Sequence, residues 1–204
     1  EGQLASAESA YYAAVRAHPR DPVARAALGR YLAARGGVKA GAVLVEEAQF
    51  FGGDSAALAR VLIPMYERLR DYRSLADLKP NVLSTAERRR AAFLANRPSE
   101  ARLRDSVVLL SYRPNGDGRG LGTVVIRIGR TELPAMIDPR VSGLIVPSGV
   151  RKDVRVFGGH GGKTIAVADT IRIGPVAFTH VPVAGGNPAE AVRIGLHVIP
   201  PHSP

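Results

Sequence analysis

Residues 133–147 read LPAMIDPRVSGLIVP, an apolar run that ends on Asp138, followed by Ser142-Gly143 leading straight into a second apolar run. Outward from this stretch the apolar period is two. TELPAMID (131–138) and GLIVP (143–147) read as short strands, and upstream SVVLLSYR (106–113), the turn PNGDGRG (114–120) and LGTVVIRIG (121–129) give two more strands with hairpin punctuation. Downstream, DVRVF (153–157), KTIAVADTIRIG (163–174) and VAFTHVPV (176–183) continue the pattern. The region 105–204 is therefore expected to be a small, closed, all-β domain.

The order of these segments is more specific than any one motif. A Gly129-Arg130 turn leads into an apolar strand ending in Asp138, then Ser-Gly-Leu-Ile-Val-Pro; DTIRIGPVAFTHVPV (169–183) forms a later hairpin, and AVRIGLHVIP (191–200) closes the domain. This order resembles the single-domain, retropepsin-like aspartic proteases of bacterial type, whose corresponding strand carries Ile-Asp-Thr-Gly-Ala-Ser-Gly. The resemblance implies a homodimer in which Asp138 of each chain shares one proton with its twin, since two close carboxylates cannot both ionise. It also implies that FGGHGGKT (157–164) is the glycine-rich tip of a flap hairpin.

Two positions depart from the family pattern. Pro139 stands where the family has Thr, removing a hydroxyl and an amide proton together. Arg140 stands where it has Gly, placing bulk where the chain needs conformational freedom and a permanent cation that favours an ionised neighbour. Asp138 is accordingly read as a degenerate catalytic position, paired with Arg140 or a neighbour, and the chain as a pseudoprotease without catalytic residues.

Other constellations are weaker. FGGHGGKT lacks the first glycine of a phosphate-binding loop and runs into a strand, not a helix. His160, His180 and His197 have no metal-ligand spacing, and neither Ser142 nor Ser148 has a histidine pattern that would make it a nucleophile. No metal and no cofactor is expected.

Before residue 97 the composition changes to Ala, Leu and Arg, the good helix formers. An offset of 34 aligns Tyr11 with Val45, Ala14 with Ala48, Leu28 with Leu62 and Leu32 with Tyr66. Leu28-Gly29, the small Ala14 and Ala48, and Pro19 resemble the tetratricopeptide pattern, although Arg25 replaces an expected aromatic and Gly53 a closing proline. Asp21-Pro22 and Asp54-Ser55 read as helix starts, Gly36-Gly37 as a stop, and Ser84 with Glu87 as a capping box opening a helix over 85–96. The region 1–97 is thus expected to be a helical-repeat domain of five or six helices, making the chain a multidomain α plus all-β protein. Such repeats present a concave face that takes a peptide or partner helix.

The net charge of +10 raises nucleic acid as a partner. Against it, Lys and Arg outnumber Asp and Glu by 17 to 11 up to residue 104 and by 11 to 7 beyond it, so no basic arm exists. Arg88-Arg89-Arg90 is read as a solvated helix face, and stacking aromatics are few. The absence of cysteine removes disulfides and thiolate chemistry. No apolar run reaches the roughly 18 to 20 residues of a membrane span. Glu1 in place of Met implies a removed upstream segment and, with it, an exported, periplasmic or extracellular location. The expected function is non-catalytic self-assembly or binding, with the protease-like domain reused as an interface and the chain itself as partner in a homo-oligomer or filament. The alternative is an active homodimeric aspartic endopeptidase using Asp138.

Overall fold

Local chemistry fixes the helix ends first. In the computed structural model, which describes residues 2–79, 82–97, 101–102, 113, 122–138, 141, 143–147, 153–160, 163–185 and 191–195, the chain divides into two compact units, Glu1–Leu83 and Ser84–Pro204.

The first unit holds α1 (Gly2–Ala17), α2 (Pro22–Ala34), α3 (Val38–Phe50), α4 (Ser55–Leu69) and α5 (Tyr72–Asp77). Asp21 accepts from the Val23 amide with Pro22 opening α2, Asp54 accepts from the amides of Ala56 and Ala57, and Asp71 accepts from that of Ser74. Helices α2 and α3 end alike. Gly36 and Gly52 take positive φ (97° and 90°), and the amides of Gly37 and Gly53 donate five residues back to Leu32 and Ala48. Helix α4 runs through Pro64.

Each helix packs on the next, and α2 meets α3 at two glycines: a Cβ on Gly29 would stand 2.7 Å from the Gly41 carbonyl oxygen, and one on Gly41 2.5 Å from that of Gly29. Leu28, Val45, Ala48 and Leu62 are fully buried around this crossing. The helix pairs also share a polar tie, Tyr31 donating to Glu8 and Tyr66 to Glu46. Boundaries of corresponding helices, Ala17 with Phe50 and Pro22 with Ser55, repeat within a residue of the 34-residue offset.

The second unit opens with α6 (Thr85–Ala95), whose Ser84–Glu87 capping box forms as the sequence reads. It continues with β1 (Ala101–Arg102), β2 (Gly122–Ile128), β3 (Thr131–Ile137), β4 (Leu144–Val146), β5 (Arg155–His160), β6 (Lys163–Ile173), β7 (Val176–Gly185) and β8 (Val192–Ile194). The strand order is β1-β7-β4-β8-β3-β2-β6-β5, and an additional β6–β7 ladder closes β7, β4, β8, β3, β2 and β6 into a six-stranded ring. Ile126, Ile128, Leu144, Val146, Ile171, Phe178 and Ile194 fill its interior. The expected strand 106–113 lies outside the described residues except Arg113, which bridges Thr123.

Two expectations differ from what the structure contains. Helix α6, assigned by sequence to the helical half ending at residue 97, belongs to the unit that begins at Ser84, because it packs on β5 and β6. Gly158 makes that approach possible, since a Cβ there would already lie 3.0 Å from the Ala86 side chain. The Arg88-Arg89-Arg90 run is not a uniformly solvated face: Arg90 is buried on the stripe that also carries Ala86, Ala91 and Leu94. Among the described residues no helix is long and apolar enough to cross a membrane.

Candidate functional site

The closed ring places β8 between β3 and β4. Strand β8 runs parallel to β3 (Ile137 opposite Ile194) and antiparallel to β4 (Leu144 opposite Ile194). The segment joining β3 to β4 must therefore arch over the end of β8, and it carries Asp138. Its path is held by three backbone bonds: Asp138 amide to Ile194 carbonyl (3.0 Å), Val141 amide to Asp138 carbonyl (3.1 Å) and Gly195 amide to Gly143 carbonyl (2.8 Å). Gly195 is required, because any side chain would collide with the Val141 carbonyl. Gly143 is required as well: its φ is +115° and a Cβ would sit 2.7 Å from the Pro182 carbonyl oxygen.

Asp138 is 1% exposed. Its Oδ2 lies 3.8 Å from Nη1 of Arg193, an ion pair longer than a hydrogen bond. Alternation along β8 explains the arginine. Val192 and Ile194 point into the ring and are buried, so Arg193 points the other way, over Ile145 of β4, its register partner.

Asp138 and Arg193 line a cleft of 460 Å³ whose remaining walls are Val141, Leu144, Ile145, Ala184 and Lys163. A carboxylate acting as general acid or base must come within hydrogen-bond reach of the proton it transfers. A buried carboxylate facing a permanent cation serves instead as that cation's counter-ion.

A second, wholly polar groove of 680 Å³ shares no residue with this cleft. Arg127 and Arg172 stand directly opposite each other across β2 and β6, with Arg155, Asp153 and Asp169 nearby. Arg127 is ion-paired to Glu132, and Thr131 donates to Asp153, so the charges there compensate one another.

Of the residues singled out by sequence, Asp138 is in the cleft, whereas Pro139, Arg140, Ser142, Ser148 and His197 lie outside the described residues. His160 takes its place in the β5–β6 hairpin opposite Lys163. His180 occupies β7 with φ at 51° and stacks edge-on against Phe93 at 6.1 Å. Among the described residues no group of three His, Asp or Glu could hold a metal ion. Arg193 and Lys163 were not singled out. The one available signal was alternation in Val192-Arg193-Ile194, which turns the arginine out of the core onto the face of the Asp138 arch.

No protein-family model matches the chain, and no curated protein does. A crystal structure of a retropepsin-like aspartic protease from Rickettsia conorii is similar to the C-terminal half, covering 49% of this chain and 76% of that one at 10% identity and a TM-score of 0.35.

Proposed function

We propose that the chain is a non-catalytic binding and self-assembly protein, in which a closed protease-like sheet unit serves as an interface beside a scaffold of tetratricopeptide-like helical repeats. The burial of Asp138 against Arg193 carries this reading. Sharing a proton between two aspartates requires each to be reachable from the other chain. Asp138, 1% exposed and facing a guanidinium, is spent as a counter-ion within its own chain.

Self-association draws support from apolar groups left on the surface. Phe50 is 84% exposed and shares a face of α3 with the exposed Val43, two turns earlier. On the outside of the ring, exposed Val125 stands opposite exposed Pro134 in the β2–β3 ladder. Strands β1 and β5 end the sheet and each present an unpaired edge among the described strands. The tail from residue 196, expected to dock on a neighbour, lies outside the described residues.

The alternative, an active homodimeric aspartic endopeptidase, is favoured by one feature: Asp138 ends its strand in an arch braced by Gly195. Peptide cleavage at acidic pH, with and without Asp138→Asn, separates the two readings. The proposal expects no Asp138-dependent cleavage and a sedimentation coefficient that rises with protein concentration; cleavage that disappears in the Asn variant overturns it.

A further inference from the structure

The cleft beside Asp138 holds one carboxylate and two cations, and no other acidic residue lines it. The carboxylate is the buried member, 2% exposed in its side chain, whereas Arg193 is 30% exposed and Lys163 is exposed at the start of β6. One positive charge is therefore uncompensated, and it faces the open side of the cleft. The remaining surface is aliphatic, supplied by Val141, Leu144, Ile145 and Ala184. Register places Ala184, Ile145 and Arg193 in one row across β7, β4 and β8, so the guanidinium stands at the end of an apolar strip.

A cationic end on a branched aliphatic strip selects a ligand of the same division. We infer that this cleft binds a monocarboxylate carried on a short, branched aliphatic group, its carboxylate received by Arg193 and Lys163 and its apolar body by Val141, Ile145 and Ala184. The planar guanidinium matches a carboxylate through paired N–H donors, and the lysine ammonium adds a mobile point charge. The 460 Å³ volume lies in the range of small-ligand sites. Free short-chain acids and peptide C-termini ending in a branched residue share this chemistry. The inference rests on the non-catalytic reading in one respect, that Asp138 acts as a fixed counter-charge and not as a reagent.

Calorimetric titration of the full chain with four probes tests the site: isovalerate, N-acetyl-glycyl-valine, the amide of that peptide, and uncharged isoamyl alcohol. The acid and the peptide acid are expected to bind saturably, the tighter of the two naming the source, while the amide and the alcohol do not. Lys163→Gln should weaken binding about tenfold by removing a charge-assisted bond. Asp138→Asn should strengthen it severalfold, because it removes the opposing charge, and loss of structure would not produce that direction. Arg127→Gln, in the separate polar groove, should change nothing. Equal binding of acid and amide, no saturable binding of either acid at millimolar concentration, or weaker binding by a folded Asp138→Asn chain would overturn the assignment. Asp138-dependent peptidase activity would instead overturn the non-catalytic reading, so the two failures are distinct.

Discussion

The Cα of Gly195 lies against the carbonyl of Val141 so closely that a single added carbon would overlap the oxygen. That contact fixes the arch from β3 to β4, because the same glycine donates its amide to Gly143. Both groups are backbone, and neither can rotate aside. Gly195→Ala is therefore expected to cost about 3 kcal/mol or more, at the upper end for overpacking. Urea denaturation followed by a probe in the sheet unit checks this; Gly159→Ala, whose Cβ would meet only the Lys163 oxygen at 3.3 Å, serves as the mild comparison.

Gly29 and Gly41 set two opposing effects against each other. Alanine in a helix interior gains about 1 kcal/mol over glycine from propensity. Here the new Cβ would press on a backbone oxygen of the facing helix at 2.7 or 2.5 Å, and overpacking of this kind costs about 1 to 3 kcal/mol. The steric effect should win at both positions. The double alanine variant should cost less than the sum of the two, since once α2 and α3 have moved apart the second methyl meets less resistance. Additive losses measured by thermal or urea unfolding would contradict that account.

The helix ends and strands were legible because their causes are local. Asp21, Asp54 and Ser84 announce helices by chemistry contained within three or four residues. The buried and exposed positions of β2 alternate as its sequence does. Asp138 could be placed at the end of a strand for the same reason. Its described counter-ion could not: Arg193 reaches it only through the parallel β3–β8 pairing, a contact between segments far apart in the chain. Helix α6 was legible as a helix but not as part of the sheet unit. Its run of three arginines conceals a sheet-facing stripe, and only tertiary packing reveals that Arg90 is on it.

Tyr66 supplies a pH-dependent test of the helical unit. Burial, and then its hydrogen bond to Glu46 at 2.8 Å, raise its phenol above the ordinary value of 10. The native state thus favours the protonated phenol more than the unfolded chain does. The stability this contributes is fully present below pH 10 and is lost as pH rises beyond it through the raised native value. Tyr66→Phe should lower stability by about 1 kcal/mol at neutral pH through loss of the bond to Glu46. It should also flatten the fall in stability above pH 10, and absorbance at 295 nm should lose its late-titrating tyrosine. An unchanged alkaline profile would mean that Tyr66 does not report on folding.

The last prediction concerns where the sheet unit begins. Phe93 of α6 lies 5.3 Å from the Phe157 ring, with the guanidinium groups of Arg97 and Arg155 at 4.4 and 4.9 Å from its own. Aromatic pairs of this kind contribute about 0.5 to 1.5 kcal/mol beyond burial, and each exposed cation–π contact about 0.5 to 1 kcal/mol. Two further elements depend on residues before 105: the Ala86 contact at Gly158, and β1, whose Ala101 and Arg102 pair with Phe178 and Ala177 of β7. A chain beginning at Ser84 retains all of these, whereas a chain beginning at residue 105 loses every one and uncovers part of β5. The first should unfold cooperatively and the second should be less stable by several kcal/mol or aggregate through the uncovered strand. Phe93→Ala in the longer chain isolates the aromatic contribution and should cost about 2 kcal/mol, less than for a fully buried phenylalanine because the ring is only half-buried. Equal stability of the two chains by urea denaturation would show that α6 is dispensable to the sheet unit and that the functional boundary lies after residue 97.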